Sequence, residues 1–374
     1  MSTNADSTLT CVQRDVYINQ KKYPELPITN LVARIDISGF INESIFIKAF
    51  ELAIEYHDTF LIRLHDDGSV GHNFCYEKHP VDELVFIDLF VQSWSESTIE
   101  QQVSEWSKDF IAAPITKENS NLYKGALIKK TAQEYELFLV FSHVICDGWG
   151  MSLFTKNLYQ IYDALLSNSA SEKLDKIKSS LPSFKKEVEH EAEYLVSDRF
   201  SEDRQYWVER LKSLPAQAVV PRYSYQYADK DFVPSRIKQI TINRAAFQKI
   251  EMLGKSLNVG INQLMQAAIY VYMLNSCNVD ELIIGQVFHN RKKLSSKKTV
   301  GMYSKILPAR YNFGTTLTLC QLLQKIKEVN QIDNLHYATP LEQLAQDIDI
   351  YNQGRTLLFD VVFNYIKMSF NHHP

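Results

Sequence analysis

The sequence predicts a mixed α/β fold built in two successive parts. Three observations predict it. The run Leu137 to Phe141 is unbroken apolar and of strand length, the pattern of a strand buried on both faces. Past the turn pair Asp147-Gly148, Leu153, Phe154, Leu158, Ile161, Tyr162, Leu165 and Leu166 recur at helical spacing, so this strand leads into a helix. The second half of the chain repeats the order, with a strand at Ile237–Ile242, a helix at Ala245–Leu257, a further helix and then a strand at Glu281–Gly285. A length of 374 residues suits two or three domain-sized units.

The elements follow from local pattern. Residues 1–24 open polar and run into Cys11-Val-Gln-Arg-Asp-Val-Tyr-Ile, with Gln13 ahead of a hydrophobic helix. Leu31, Ala33, Ile35 and Ile37 alternate with polar residues, a half-buried strand that Gly39 ends. Asn42 caps the helix that follows, whose apolar face carries Ile45, Phe46, Ala49, Phe50, Leu52 and Ala53. Residues 65–130 mix short strands with a helix around Ser97–Ile111. The Ser/Lys-rich stretch Leu166–Leu181 reads as a linker. Two charged helices are expected at about 183–195 and 201–212, the second capped by Ser201. Asn262 is expected to cap the helix carrying Leu264, Ala267, Ala268, Val271 and Leu274.

Composition narrows the function. Net charge is −4 with no basic block, which argues against nucleic acid and anionic membrane as partners. No stretch reaches ~18 consecutive apolar residues, so no transmembrane helix is expected, and the polar N-terminus lacks a signal-peptide core. Cys11, Cys75, Cys146, Cys277 and Cys320 are scattered and read as reduced thiols of a cytoplasmic protein. His72-x2-Cys75-x3-His79 has metal-like spacing without a further ligand pair, so no metal site is assigned. There is no phosphate-cradling glycine loop and no dinucleotide fingerprint, so no cofactor bound by this chain is expected.

Titratable groups converge at one place, the end of the buried strand. His143 is the residue type that exchanges a proton near neutral pH. Asp147, one turn on, is suited to holding the loop by an ion pair or backbone hydrogen bonds. Gly148 lets a ligand approach the backbone, and its N–H can donate to an oxyanion. Ser142 is no nucleophile for His143, because neighbours on an extended chain point to opposite faces. Cys146 reads as a small buried thiol. Taken alone, His-x3-Asp-Gly reads more readily as a core histidine capped by a turn aspartate.

The neighbourhood changes that reading. Ser142-His-Val-Ile-Cys-Asp-Gly-Trp149 resembles the His-His-x-x-x-Asp-Gly-Trp signature of the condensation domains of nonribosomal peptide synthetases, part of the wider group of chloramphenicol-acetyltransferase-like acyltransferases. The family's catalytic second histidine falls on His143, and its first falls on Ser142. Other family motifs follow in the family's order. Tyr56-His57-Asp58-Thr59-Phe60-Leu61-Ile62-Arg63-Leu64 resembles the second motif, with Tyr56 and Leu61 where the family has arginines and Arg63 as the candidate substitute in bracing the active-site loop. Tyr206-Trp207 matches an aromatic packing anchor on the helix between the lobes. Val287-Phe-His-Asn-Arg291, Val300-Gly-Met-Tyr-Ser-Lys-Ile-Leu-Pro-Ala-Arg310, His336-Tyr-Ala-Thr-Pro-Leu-Glu342 and Gly354–Tyr365 resemble the later motifs, the second of them Ile-Gly-Phe-Phe-Val-Asn-Thr-Leu-Pro-Leu-Arg in the family, with Lys305 in place of the asparagine. Family members usually continue past the last motif, whereas this chain stops at His372-His373-Pro374, as a fragment or a shortened relative would.

The resemblance implies two acetyltransferase-like lobes forming a V, an N-terminal lobe at 1–175 carrying the His-x3-Asp-Gly loop and inter-lobe helices plus a C-terminal lobe at 176–374, with the active site in a tunnel between them. It implies amide formation between a donor thioester and an amino acid acceptor, each on the phosphopantetheine arm of a carrier protein, with adjacent synthetase domains as further partners. His143, Asp147 and Gly148 are the implied catalytic set. Trp149, Ser142 and Ser304 are implied on the substrate side, Trp149 either lining the tunnel or packing in the core. Arg63 and Arg291 are implied supports. Imidazoles ordinarily titrate near about 6.5 and α-amines at about 7.7–8.0, so a histidine can take the proton lost on attack. Whether His143 acts as base or as a positioning group stays open. The other readings are acyl transfer from coenzyme A or a carrier to a free amine or alcohol, and a non-catalytic carrier-docking domain.

Overall fold

The computed structural model describes residues 9–65, 73–76, 79–92, 94–218, 237–314, 316–350, 352–353, 355 and 358–366; the side chains of 73–75 are outside the description. The chain divides into two compact units, one of residues 1–197 and 289–304, the other of 198–288 and 305–374. The boundary expected at 175/176 therefore lies at 197/198, and the first unit also takes in the segment 289–304. The reason is that Leu174 and Ile177 of the presumed linker pack against the first unit's core, as do Phe184 and Val188 beyond it.

The first unit contains α1 (Cys11–Lys22), β1 (Asn30–Ser38), α2 (Glu43–Tyr56), β2 (Ile62–His65), β3 (Asn73–Tyr76), β4 (Val85–Asp88), α3 (Glu96–Ala112), β5 (Tyr123–Lys129), β6 (Glu134–Ser142), α4 (Gly148–Leu165), α5 (Ala170–Ser180) and α6 (Lys185–Leu195). Its main sheet runs β1-β6-β5-β4. β6 is antiparallel to β1 and β5, and β4 joins β5 in parallel. β6 is buried on both faces because alternate side chains enter different cores. Leu137, Leu139 and Phe141 pack with Phe50 of α2 and Phe154 and Leu158 of α4, while Phe138 packs with Ile99 and Val103 of α3. Phe60, Phe141 and Phe154 meet edge to face, their ring centroids 5.0–5.2 Å apart. Each such ring contributes about 1.5–3 kcal/mol by leaving water.

Helix ends follow expected chemistry in part. Asn42 accepts the Ile45 N–H at 3.1 Å and caps α2. Gln13 lies inside α1, not ahead of it, and forms a capping box with Thr10. The linker stretch holds α5, whose Leu174 and Ile177 are one turn apart on the inner face. Asp58 caps α6 from a distance: it accepts the Ser183 hydroxyl and the N–H groups of Phe184 (2.8 Å) and Lys185 (3.2 Å).

The second unit contains α7 (Asp198–Arg210), α8 (Arg244–Ser256), α9 (Ile261–Cys277), β7 (Leu282–Phe288), β8 (Lys305–Tyr311), α10 (Leu319–Asp333), α11 (Leu341–Ile348) and β9 (Val361–Phe363). Its sheet runs β8-β7-β9, antiparallel then parallel. Trp207 is buried and its indole N–H donates to the His336 carbonyl at 2.8 Å, the anchor expected of it. Three expectations fail here. Residues 237–242 form no strand; Ile237 and Ile240 are 95% and 88% exposed, so alternation alone finds no partner among the described residues. Ser201 sits within the first turns of α7, which starts at Asp198. Gly260, not Asn262, occupies the cap of α9, and its N–H donates to the Gln263 side chain at 3.0 Å. Met1–Thr8, His72, Gly354 and His372–Pro374 lie outside the described residues, as does the Cys75 side chain.

Candidate active site

The site is built where β6 ends. Ser142 closes the strand, and its N–H donates to the Leu122 carbonyl at 2.8 Å. Its hydroxyl is fully buried in a polar chain: it lies 2.6 Å from Thr116, which lies 2.9 Å from Thr29, which donates to Gln20 at 2.6 Å. It also accepts the Val144 N–H at 3.2 Å. Ser142 thus serves the loop's backbone, and its expected place on the substrate side is corrected by its burial.

His143 points the other way and is half-buried. Its main-chain N–H donates to the Thr29 carbonyl at 2.8 Å. Its Nδ1 lies 3.2 Å from the Met302 sulfur, and its Nε2 takes no partner among the described residues. The turn behind it is clamped from both sides. The Gln13 amide donates to the Val144 carbonyl at 2.8 Å, and the Thr59 hydroxyl donates to the Ile145 carbonyl at 2.8 Å. Cys146 is buried, and desolvation pushes its thiol well up from the ordinary range, so it stays protonated and inert.

Asp147 caps α4 and is the hub of the loop. One carboxylate oxygen accepts the Gly150 N–H at 2.7 Å and the Arg291 guanidinium at 2.8 Å. The other accepts the N–H groups of Tyr303 and Ser304 and the Ser304 hydroxyl, each at 3.1 Å. Arg291 is fully buried, donates also to the carbonyls of Ser296 (2.6 Å), Thr299 (2.7 Å) and Gly301 (3.0 Å), and lies 3.9 Å over the Tyr303 ring. A charge pair this dry needs its remaining lone pairs and protons answered: both oxygens of Asp147 and both terminal nitrogens of Arg291 are, while Nε of Arg291 has no partner among the described residues. With all its bonds turned inward, Asp147 builds the loop and is not in the catalytic set. The Ser304 hydroxyl is committed to it, which corrects the substrate-side expectation for Ser304.

Gly148 is the first residue of α4, and a Cβ built there meets nothing within 4 Å. Its N–H, an unpaired donor of a helix N-terminus, has no partner among the described residues. Trp149 is 44% exposed, which excludes core packing; its indole N–H donates to the Lys297 carbonyl at 3.1 Å, and its ring lies 5.7 Å from that of His289. Burial, then the charges of Arg291 and Lys297, lower the His289 pKa below its ordinary value. Arg63 is buried on β2 and donates to the Ile62 carbonyl and the Asn121 side chain, and Arg291 is bonded to Asp147 of the loop. His57 stands inside the core, accepting the Asn157 amide at 2.9 Å on Nε2, which leaves Nδ1–H to donate to the Ala53 carbonyl at 2.7 Å.

Sequence reasoning passed over Met302, Thr59 and the reach of Gln13. Gln13 carried a signal, its place in an opening motif. Met302 carried none, since only the fold brings it 159 positions back to His143. Among the described residues no cluster of three or more histidine, cysteine or carboxylate side chains could hold a metal, and no helix is long and apolar enough to cross a membrane.

The family model described as "Condensation domain" matches residues 4–371. The chain is 22% identical to surfactin synthase subunit 1 of Bacillus subtilis (strain 168) over 364 residues, 96% of this chain and 10% of that protein. It is also 22% identical to a dimodular nonribosomal peptide synthase of the same organism, over 94% of this chain and 14% of that one. It thus spans a small part of these curated relatives. Among solved structures, the first condensation domain of the calcium-dependent antibiotic synthetase, in complex with a substrate analogue, superposes with a TM-score of 0.75 at 18% identity, covering 96% of this chain and 80% of that one. The starter condensation domain of rhizomide synthetase gives 0.76 at 20% identity, covering 95% and 78%. The mixed α/β fold expected from the sequence is the fold of these domains.

Proposed function

Because the chain belongs to the condensation-domain family, we propose that it joins a carrier-borne acyl or peptidyl thioester to a carrier-borne amino acid through an amide bond. The observation that carries this reading is the half-buried His143, its Nε2 unpartnered among the described residues, on a loop fixed by Asp147, Arg291, Gln13 and Thr59. The acceptor amine attacks the thioester carbonyl carbon, and its proton passes to Nε2 of His143. The carbonyl oxygen becomes an oxyanion that the Gly148 N–H, at the positive end of α4, is suited to receive. Collapse breaks the C–S bond, and the departing thiolate takes the proton from His143. An amide and a free thiol remain. Holding both reactants by their arms supplies the entropic part of the acceleration, up to roughly 7–11 kcal/mol.

In this reading the chain needs no cofactor of its own; donor and acceptor carrier proteins bring the phosphopantetheine arms, and neighbouring synthetase domains bring the carriers. The site works in the cytoplasm, where such arms are loaded. The test loads a donor carrier with a labelled acyl group and an acceptor carrier with an amino acid, and follows transfer by intact-protein mass spectrometry. Transfer by the wild-type chain that His143→Ala abolishes is the expected result. Equal rates from both proteins, no faster than the carriers alone, would sink the proposal. Turnover of acyl-coenzyme A without a donor carrier would move the activity to the free-acceptor class.

A further inference from the structure

The geometry points to Met302 as a positioning residue that sets the tautomer of His143, an inference that rests on the base role proposed above. A thioether sulfur has lone pairs and no proton, so it can only accept. An imidazole nitrogen 3.2 Å from it is therefore the protonated one; two lone pairs facing each other at that distance would repel. With the proton on Nδ1, the lone pair is on Nε2, the nitrogen with no partner among the described residues. The ring is thus presented with its basic atom free.

The sulfur is itself held in place. Met302 is buried, and both neighbours are tied to the Asp147 hub. On one side the Gly301 carbonyl accepts from Arg291 at 3.0 Å and from the Asp147 N–H at 3.2 Å. On the other the Tyr303 N–H donates to Asp147 at 3.1 Å. Asp147 has no hydrogen bond to His143 and acts on it through this short span of backbone. The phenylalanine found at this position in the related motif could not accept a hydrogen bond from Nδ1–H. Methionine here is a departure with a chemical consequence.

The test uses the whole chain labelled with 15N-histidine and observed by NMR above pH 8, with the His143 signals assigned by their loss in His143→Gln. Wild type is expected to carry its proton on Nδ1. Met302→Leu keeps size and loses the acceptor, so the proton shifts toward Nε2. Met302→Gln restores an acceptor oxygen and returns it to Nδ1. In the carrier assay, Met302→Leu should lower kcat about two- to tenfold, the worth of one hydrogen bond, with KM changed less than twofold; Met302→Gln should regain most of it. A wild-type His143 protonated on Nε2, or a tautomer indifferent to Met302→Leu, would overturn the inference. Expected tautomers in a chain without turnover would count against the condensation reading and leave the role of Met302 standing.

Discussion

Each unit buries an arginine–carboxylate pair, and the two are completed differently. In the first, the Arg291–Asp147 pair is 0% and 1% exposed, and both oxygens of Asp147 are bonded. In the second, the Arg355–Asp360 pair is equally dry, at 1% and 0%. There one oxygen of Asp360 accepts from Arg355 (3.0 Å) and the Ala218 N–H (3.1 Å), while the other takes no partner among the described residues. Desolvation costs both pairs several kcal/mol per ion, and each leaves one buried polar atom without a partner among the described residues, Nε of Arg291 in the first and that oxygen of Asp360 in the second, but Asp147 accepts five bonds where Asp360 accepts two. The difference teaches that the first pair is an organising centre: its bonds reach Gly150, Tyr303 and Ser304, and with them the loop of His143.

The largest effect is expected on removing the hub. Asp147→Ala leaves a buried guanidinium and three N–H groups unanswered and should cost about 3–5 kcal/mol. Asp360→Ala removes a carboxylate with fewer bonds and should cost about 2 kcal/mol. Urea unfolding of the two variants measures this, and equal losses would break the comparison. Next come the glycines beside each pair. A Cβ on Gly301 would stand 2.2 Å from the fully buried Phe184 ring, whereas one on Gly285 would stand 2.8 Å from Phe359, which is only partly buried and can yield. Gly301→Ala should cost about 1–3 kcal/mol and Gly285→Ala less, read from the same denaturation curves. The reverse order would mean that the first unit is the softer one.

The smallest effect is a pH dependence. Burial lowers the His57 pKa, so the folded chain keeps this ring neutral while the unfolded chain protonates it below about 6.5. Stability from this group is complete above that pH and is lost as pH falls toward the folded value, by at most about 1.4 kcal/mol per pH unit. Urea midpoints at pH 7 and pH 5 should therefore differ less in His57→Gln than in wild type. An unchanged difference would show that His57 is not the titrating group.

Much of the fold was legible. The strand at Leu137–Phe141 announces itself because burial on both faces demands apolar residues at every position, and β6 has them. The Asn42 cap and the apolar face of α2 are local features that need no partner to be read. The failures share one cause. Ile237–Ile242 alternates like a strand, but a strand needs a neighbour that the local pattern does not supply. The Ser/Lys-rich stretch looks like a linker because α5 buries only one thin face, Leu174 and Ile177. Ser201 and Asn262 are good capping residues that stand one turn too late or two positions too far.

The site divides the same way. The sequence by itself determined the identity and spacing of His143, Asp147 and Gly148, because a strand end, a turn and a helix start are local events that one short segment can specify. It also placed Arg291 and Ser304 among residues of interest. Only the tertiary structure decided what those residues do. It turned Ser142 and Ser304 inward, bonded Asp147 to Arg291, kept Trp149 out of the core, and set the Met302 sulfur against His143. The physical reason is that hydrogen bonds and ion pairs act over about 3 Å in space, while the partners here are separated by 144 to 159 positions along the chain.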